Sequence, residues 1–210
     1  MSGTCGYVWT RGPEAGQPCS LSPVLEDGFC VWHSEVDGKV IPPNVAAVLR
    51  QRIESQIPCD GFDLTGADLR RANLAGLDLS GLVLAGADLA LADLTRANLT
   101  RTDLTNAFLF GVRLVSANLT KAFLLGADLS EADLFGANLG AIEAFDADLR
   151  RANLSLANLA GADLTDAILR QARLKGADLR GANLAGADLR EVDLTHINPL
   201  GVDLTVARTA

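Results

Sequence analysis

The sequence predicts a solenoid, a fold in which short repeated units stack on their neighbours, for most of its 210 residues. Leu recurs at every fifth position from Leu64 to Leu204, and 27 of these 29 centres are Leu. Helices repeat every 3.6 residues and simple strands every 2, so a five-residue period fits neither. A fixed short period is instead typical of stacked repeats.

Each five-residue unit separates inward from outward positions. Ala usually stands two residues before the centre, as at Ala67, and Asp or Asn stands one before it, as at Asp68. We expect Leu and Ala to point inward, because a narrow core with two residues per unit needs one of them to be small. The exceptions among the centres are Ala144 and Pro199. Ile142 precedes Ala144, so the summed core volume is nearly kept.

The tandem motif A(D/N)LXX resembles the pentapeptide-repeat family, over about residues 57–208. The resemblance implies an all-β fold, a right-handed quadrilateral parallel β-helix in which each side is one pentapeptide and four sides make one coil. The 29 centres then make about seven coils. At the usual strand spacing of about 4.8 Å, the rod would be about 35 Å long. The repeat domain is expected to span residues 57–210.

The first part of the chain, residues 1–40, is predicted to be a small zinc module. Its ligands would be Cys5, Cys19, Cys30 and His33, since three thiolates and one imidazole match a tetrahedral structural site. This Gly- and Pro-rich segment could not build a core without a staple, and its GQPC and FCVWH stretches resemble a zinc module with three Cys and one His as ligands. The alternatives are buried free thiols or a disulfide formed during purification.

Residues 41–56 are predicted to form a capping helix and linker. Asn44 is a favourable N-cap, and apolar residues between Val45 and Ile53 recur near helical spacing. The end of a solenoid exposes its core and unpaired strand edges. We therefore expect this helix to lie over the first coil. Cys59 occupies a centre position and is expected in the core.

Charge and motifs argue against several functions. The chain has 26 carboxylates against 18 Lys and Arg, a net charge of −8, whereas nucleic-acid binders normally carry a basic face. No apolar run approaches the roughly 20 residues of a membrane span. The N-terminus lacks a signal-peptide pattern, which predicts a cytoplasmic protein. No catalytic motif is present, and His196 is expected on the surface. Acid–base catalysis needs two carboxyl groups in different environments, whereas the repeat gives its carboxylates much the same one. We therefore expect no enzyme.

The outward positions of the middle coils are aromatic and acidic, which predicts a partner-binding surface. Phe123, Leu125 and Phe145 are expected to share one side on adjacent coils. The alternative is that outward Phe residues merely stack from coil to coil. Further along the chain, Arg150, Arg170 and Arg190 are expected to form a column. The candidate partner-binding residues are Phe108, Phe110, Phe123, Leu125, Phe135, Phe145, Asp128 and Asp133.

The last coil is rich in apolar residues that nothing further along the sequence would cover. Either this coil frays, or it meets a second copy end to end in a homodimer. We expect the dimer. Its interface residues would be Ile197, Leu200, Val202, Leu204 and Val206.

Two functions fit the sequence. The first is a non-enzymatic protein–protein interaction scaffold, with zinc as a structural staple. The second follows from the family resemblance, because some pentapeptide-repeat proteins imitate duplex DNA, bind type II topoisomerases such as DNA gyrase and protect against quinolones. The acidic middle and the end-to-end dimer are similar to those members. The uninterrupted coils, the Arg column and the N-terminal segment differ from them.

Overall fold

The computed structural model describes residues 45–54, 59 and 62–209. Its β structure is a ladder of 24 single-residue bridges, all of them parallel, and each bridge joins residues 20 apart. Four pentapeptides therefore complete one coil, and the five-residue register predicted from the sequence is confirmed. The right-handed sense of winding stays a prediction.

The four sides of the coil are named by their first unit. The first side contains Leu64 and each centre 20 residues further on, and the second, third and fourth sides start at Leu69, Leu74 and Leu79. Outward residues of one side form a column along the rod. On the first side, the column before the centres is Asp63, Val83, Asp103, Phe123, Glu143, Asp163 and Asn183.

The interior consists of the predicted Leu and Ala positions. The Leu centres from Leu64 to Leu189 are buried, and so are the inverted pair Ile142 and Ala144. Thr102 stands where Ala is usual and is fully buried, yet its hydroxyl donates to the Leu79 carbonyl at 2.9 Å, so the polar group is satisfied. Cys59 is buried in the same core, as predicted.

Backbone hydrogen bonds hold the coils together. The Leu64 N–H donates to the Val83 carbonyl at 2.7 Å, and the Asp88 N–H donates to the Ala67 carbonyl at 2.9 Å. At almost every corner the second residue after the centre has a positive φ, including 15 residues that are not Gly. L-residues avoid this region. The ladder therefore imposes a corner geometry that local preference disfavours, which explains why Gly is frequent at this position.

Helix α1 (Val45–Glu54) lies against the first coil. Its Val45 and Leu49 side chains are buried in the same core as the repeats. The Arg50 guanidinium donates to the Asn73 carbonyl at 2.9 Å, and the Arg52 guanidinium lies 5.6 Å from the centre of the Phe62 ring. The four candidate zinc ligands lie outside the described residues, and the domain boundaries stay predictions.

The last coil is less regular than the others. Of its residues, Asn198 and Arg208 still pair with the coil before them. A short 3-10 helix (Leu204–Val206) is capped by Asp203, whose carboxylate accepts the Thr205 N–H at 2.9 Å. The last coil therefore keeps β-bridges on two of its four sides, and the Gly176 and Gly186 N–H groups add hydrogen bonds to the His196 and Val206 carbonyls at two corners.

Candidate partner-binding surface

Phe123, Leu125 and Phe145 form an exposed apolar group on the first side, hereafter the aromatic patch. Phe123 and Leu125 flank the inward Leu124, so both point outward from the same unit. Phe145 occupies the same column as Leu125 one coil further along, where its carbonyl accepts the Gly126 N–H at 3.0 Å. The three side chains are 39%, 45% and 43% exposed. The structure thus brings together the three residues that the sequence placed on one side.

Carboxylates without cation partners border the aromatic patch. Glu143 pairs with Phe123 in the ladder and is exposed. Asp146 and Asp166 are exposed on consecutive coils at the corner that follows the first side. None of the three makes an ion pair with a described residue. Their charges stay uncompensated, so this edge of the patch attracts a cationic group.

The other predicted partner-binding residues lie on other sides. Phe108 and Phe110 are exposed on the second side, where Phe108 pairs with Asp128 in the ladder. Asp133 and Phe135 lie on the third side, opposite the aromatic patch, and Phe135 is 41% exposed. The eight residues therefore form three separate groups, and one flat partner surface cannot contact all of them.

The regular Asp and Asn columns are partly used by the fold itself. A side-chain oxygen in these columns accepts the backbone N–H two residues further on, as short polar side chains do in turns. Asp128 accepts the Ser130 N–H at 2.9 Å. Asp133 accepts the Phe135 N–H at 3.3 Å and the Asn153 amide at 2.9 Å. These hydrogen bonds fix the direction of both carboxylates.

The second side near the C-terminus pairs its charges. Arg190 donates to Asp188 at 2.6 Å, and Arg170 donates to Glu191 at 3.1 Å. The hydrogen bond from Arg190 holds the pKa of Asp188 at about 2, below its ordinary 3.8. Arg150, the third member of the predicted Arg column, is paired with Asp148. This side is therefore a self-neutralised surface.

The predicted dimer residues surround the last coil. Leu200 is 72% exposed and Val206 is 45% exposed. Ile197, Val202 and Leu204 are partly buried and pack against the end of the core. The apolar end that the sequence predicted is present, while the dimer itself stays a prediction.

Sequence reasoning missed two groups of charged residues beside the patch. One is the acidic corner formed by Asp146 and Asp166. The other is the pair Arg101 and Lys121, at the corner that precedes the first side. Both pairs are 20 residues apart and two residues after a centre. Writing the sequence in rows of 20 would have shown them as columns.

Three further observations concern metal binding, membrane spans and His196. Within the described ranges, no group of three or more His, Cys, Asp and Glu is arranged to hold a metal ion. The same residues include no helix with the length and apolar character needed to cross a membrane. The His196 side chain is exposed, and its Nδ1 lies 2.7 Å from the Thr195 hydroxyl.

Comparison with known families agrees with the repeat. A family model described as "Pentapeptide repeats" matches in eight copies, and no curated protein matches the chain. The matched stretches cover more than half of the sequence. They are residues 59–82, 78–111, 113–140, 145–181 and 157–196.

Several solved structures are similar to this chain. One is HetL, a pentapeptide repeat protein involved in heterocyst differentiation regulation from the cyanobacterium Nostoc sp. strain PCC 7120. HetL is 33% identical to this chain, the match covers 71% of this chain and 81% of HetL, and the TM-score is 0.33. A pentapeptide repeat protein from the Arabidopsis thaliana thylakoid lumen is 34% identical, with coverages of 58% and 68% and a TM-score of 0.23. QnrB1, a plasmid-mediated fluoroquinolone resistance protein, is 21% identical, with coverages of 68% and 77% and a TM-score of 0.38.

Proposed function

This chain belongs to the pentapeptide-repeat family, and on that premise we propose that it is a non-enzymatic, cytoplasmic scaffold that binds a protein partner through its aromatic patch. The observation that carries the proposal is the exposure of Phe123, Leu125 and Phe145 together on one side. Clustered exposed apolar side chains are typical of contact sites, and aromatic anchors commonly dominate their binding energy.

Rigidity and charge also support this proposal. Every residue of the patch belongs to a coil that is hydrogen-bonded to the coils before and after it, so little order has to be gained on binding. Glu143, Asp146 and Asp166 add uncompensated negative charge at the edge of the patch. A partner with an apolar anchor and a neighbouring Lys or Arg fits both features.

The experiment compares the proteins that are captured by two double variants of the full chain. Phe123→Ala with Phe145→Ala removes both aromatic rings of the patch, whereas Leu91→Ala with Leu156→Ala removes two more exposed apolar side chains elsewhere (48% and 59% exposed). We expect the first variant to lose a protein that wild type and the control variant both retain. If both variants retain the same set of proteins, the patch is not the binding site.

A second candidate function is that of a DNA mimic that binds a type II topoisomerase such as DNA gyrase. The acidic charge of the middle coils favours it, including Asp128 and Asp133. In a gyrase supercoiling assay at two salt concentrations, this function predicts inhibition that salt weakens and that Asp128→Lys with Asp133→Lys abolishes. Absence of inhibition at tens of micromolar protein would leave the scaffold proposal alone.

Two structural proposals accompany the scaffold. The first is a structural zinc ion held by Cys5, Cys19, Cys30 and His33, for which metal analysis of the purified protein predicts one zinc per chain, reduced in Cys30→Ser. The second is a homodimer through the last coil. Light scattering at micromolar concentration should give twice the monomer mass, and Leu200→Glu should return the protein to a monomer.

A further inference from the structure

A groove on the fourth side contains cationic side chains that the proposed scaffold function does not use. Its volume is about 560 Å³, and it lies along the outward residues of three consecutive coils. The lining consists of hydroxyls, one amide and two cations, with no carboxylate. The residues that matter are Ser80, Asn98, Thr100, Arg101, Thr120 and Lys121, hereafter the basic groove.

The two cations of the basic groove stand one above the other. Arg101 and Lys121 occupy the same corner position on consecutive coils, where the Arg101 N–H donates to the Thr120 carbonyl at 3.1 Å. Adjacent coils are about 4.8 Å apart. Their positions on consecutive coils bring two like charges near one another, and an anion bound between them would offset the repulsion.

The two cations differ from most other Arg side chains of the rod in having no carboxylate partner among the described residues. Many other Arg side chains of the rod have a carboxylate partner, such as Arg70 with Asp68 and Arg180 with Asp178, each at 2.6 Å. Arg101 and Lys121 make no ion pair with a described residue. Asp78, on the same side, accepts the Ser80 N–H at 3.1 Å and the Asn98 amide at 2.9 Å, which directs its carboxylate to those donors.

The Thr hydroxyls beside the cations already donate their protons within the coil, so the hydrogen bonds to an anion would come from Arg101 and Lys121. The Thr100 hydroxyl donates to Asn98 at 2.7 Å and accepts from the Asn118 amide at 3.0 Å. Thr120 makes the equivalent bond to Asn118 at 2.6 Å. Gly81 has no side chain, and no atom lies within 4 Å of where a Cβ would be, so the groove is open below Arg101. An anion can therefore reach both cations without moving the coil.

A second groove on the rod shows why the charge balance matters. It has a volume of about 400 Å³ and contains Arg150, Arg151 and Arg170. Each of these three Arg side chains is paired, with Asp148, Glu131 and Glu191 respectively. That groove has more cations than the basic groove but no uncompensated charge.

From this contrast we propose that the basic groove binds a phosphate group, free or carried by a small phosphomonoester. Arg and Lys bind phosphate through charge-assisted hydrogen bonds, and two cations match its double negative charge. The groove runs along the fourth side, and its Lys121 lies at the corner beside the aromatic patch of the first side. The proposal goes beyond the scaffold function, because phosphate binding is measured without any protein partner.

The test is titration of the full-length isotope-labelled protein, with backbone amide NMR signals as the readout. Inorganic phosphate is the first probe and glycerol 3-phosphate the second. We expect saturable shifts centred on Thr100, Arg101 and Lys121. Arg101→Gln with Lys121→Gln should weaken the apparent affinity at least about tenfold, the loss expected when charged hydrogen bonds are removed.

Two control variants separate this site from general attraction to Arg. Arg96→Gln removes an exposed cation at a neighbouring corner, outside the groove. Arg151→Gln removes a paired cation from the second groove. Both should bind phosphate as wild type does. Equal affinity for the two probes would show that the groove recognises the phosphate group itself. Binding of glycerol 3-phosphate alone would show that the groove also contacts the glycerol part of the ester.

Two results would overturn the proposal. One is the absence of saturable shifts at the basic groove with either probe. The other is a set of non-saturating shifts spread over exposed Arg and Lys residues, with the groove variant indistinguishable from Arg96→Gln.

Discussion

The first side around the aromatic patch and the second side near the C-terminus differ in whether their outward charged residues form ion pairs. On the second side, Arg190 and Asp188 pair within one unit, and Arg170 reaches Glu191 on the next coil. On the first side, Phe123 and Phe145 are exposed beside carboxylates without cation partners. The backbone ladder and the core of the two regions are the same.

This difference shows that the repeat separates stability from recognition. Inward positions are restricted to residues that fill the core, whereas outward positions can vary without changing the fold. A side whose charged groups already form ion pairs with each other has few charges available to a partner. A side with exposed aromatic rings and unpaired carboxylates can still form apolar contacts and ion pairs with one.

The largest expected effect tests the shared core. Leu124→Ala lies under the aromatic patch and Leu149→Ala lies under the paired side, and both positions are buried. Each change should lower the free energy of unfolding by about 3 kcal/mol, because each leaves a cavity in a close-packed core. Denaturant unfolding of the two variants measures this. A several-fold difference between them would show that the two regions do not share one core.

An intermediate effect tests the paired side. The pKa of Asp188 is about 2 in the folded protein, below its ordinary 3.8, so the pair with Arg190 stabilises the fold above about pH 4. This stabilisation is lost as the pH falls from about 4 to about 2. Asp188→Asn should therefore lower the free energy of unfolding by about 1 kcal/mol at pH 7 and by less at pH 2.

The control for this prediction is Glu143→Gln on the first side, because Glu143 makes no ion pair with a described residue. Unfolding curves at both pH values should be nearly the same for this variant and for wild type. An equal loss of stability in the two variants at pH 7 would contradict the contrast between the sides.

The smallest expected effect tests the acidic corner of the first side. Asp146 and Asp166 have like charges on consecutive coils, so Asp146→Asn should slightly raise the thermal midpoint. Salt screens exposed charges, so the gain should disappear at high ionic strength. Thermal unfolding at low and high salt measures both. A lower midpoint in Asp146→Asn at low salt would mean that this carboxylate has a stabilising contact.

Much of the fold could be predicted from the sequence, because Leu at every fifth position fixes which residues point into the core. The positions of Leu64 to Leu189 inside, and of Phe123 and Phe145 on one side, follow from counting. The ion pairs within one unit also follow from the sequence, because an Asp-Leu-Arg unit places its Arg two residues after its Asp, as in Asp188 and Arg190. The ion pairs between coils do not, since Arg170 reaches Glu191 whereas Asp146 makes no ion pair with a described residue.

Other features were also beyond the sequence. The burial of Thr102 required a carbonyl acceptor at Leu79, which only the coil geometry supplies. The irregularity of the last coil depends on which ladder hydrogen bonds form beside Pro199 and the 3-10 helix. The repeat pattern does not specify which of these bonds form.

The most direct measurement of the central claim, that the aromatic patch binds a protein partner, is site-specific photo-crosslinking in cells. A photoreactive amino acid would replace Leu125 in the patch and, in a matched control, Leu156 on another side, because both are exposed leucines. We expect a discrete crosslinked protein from position 125 that is absent from position 156 and absent when Phe145→Ala is added. Identical products at both positions, or none at position 125, would contradict it.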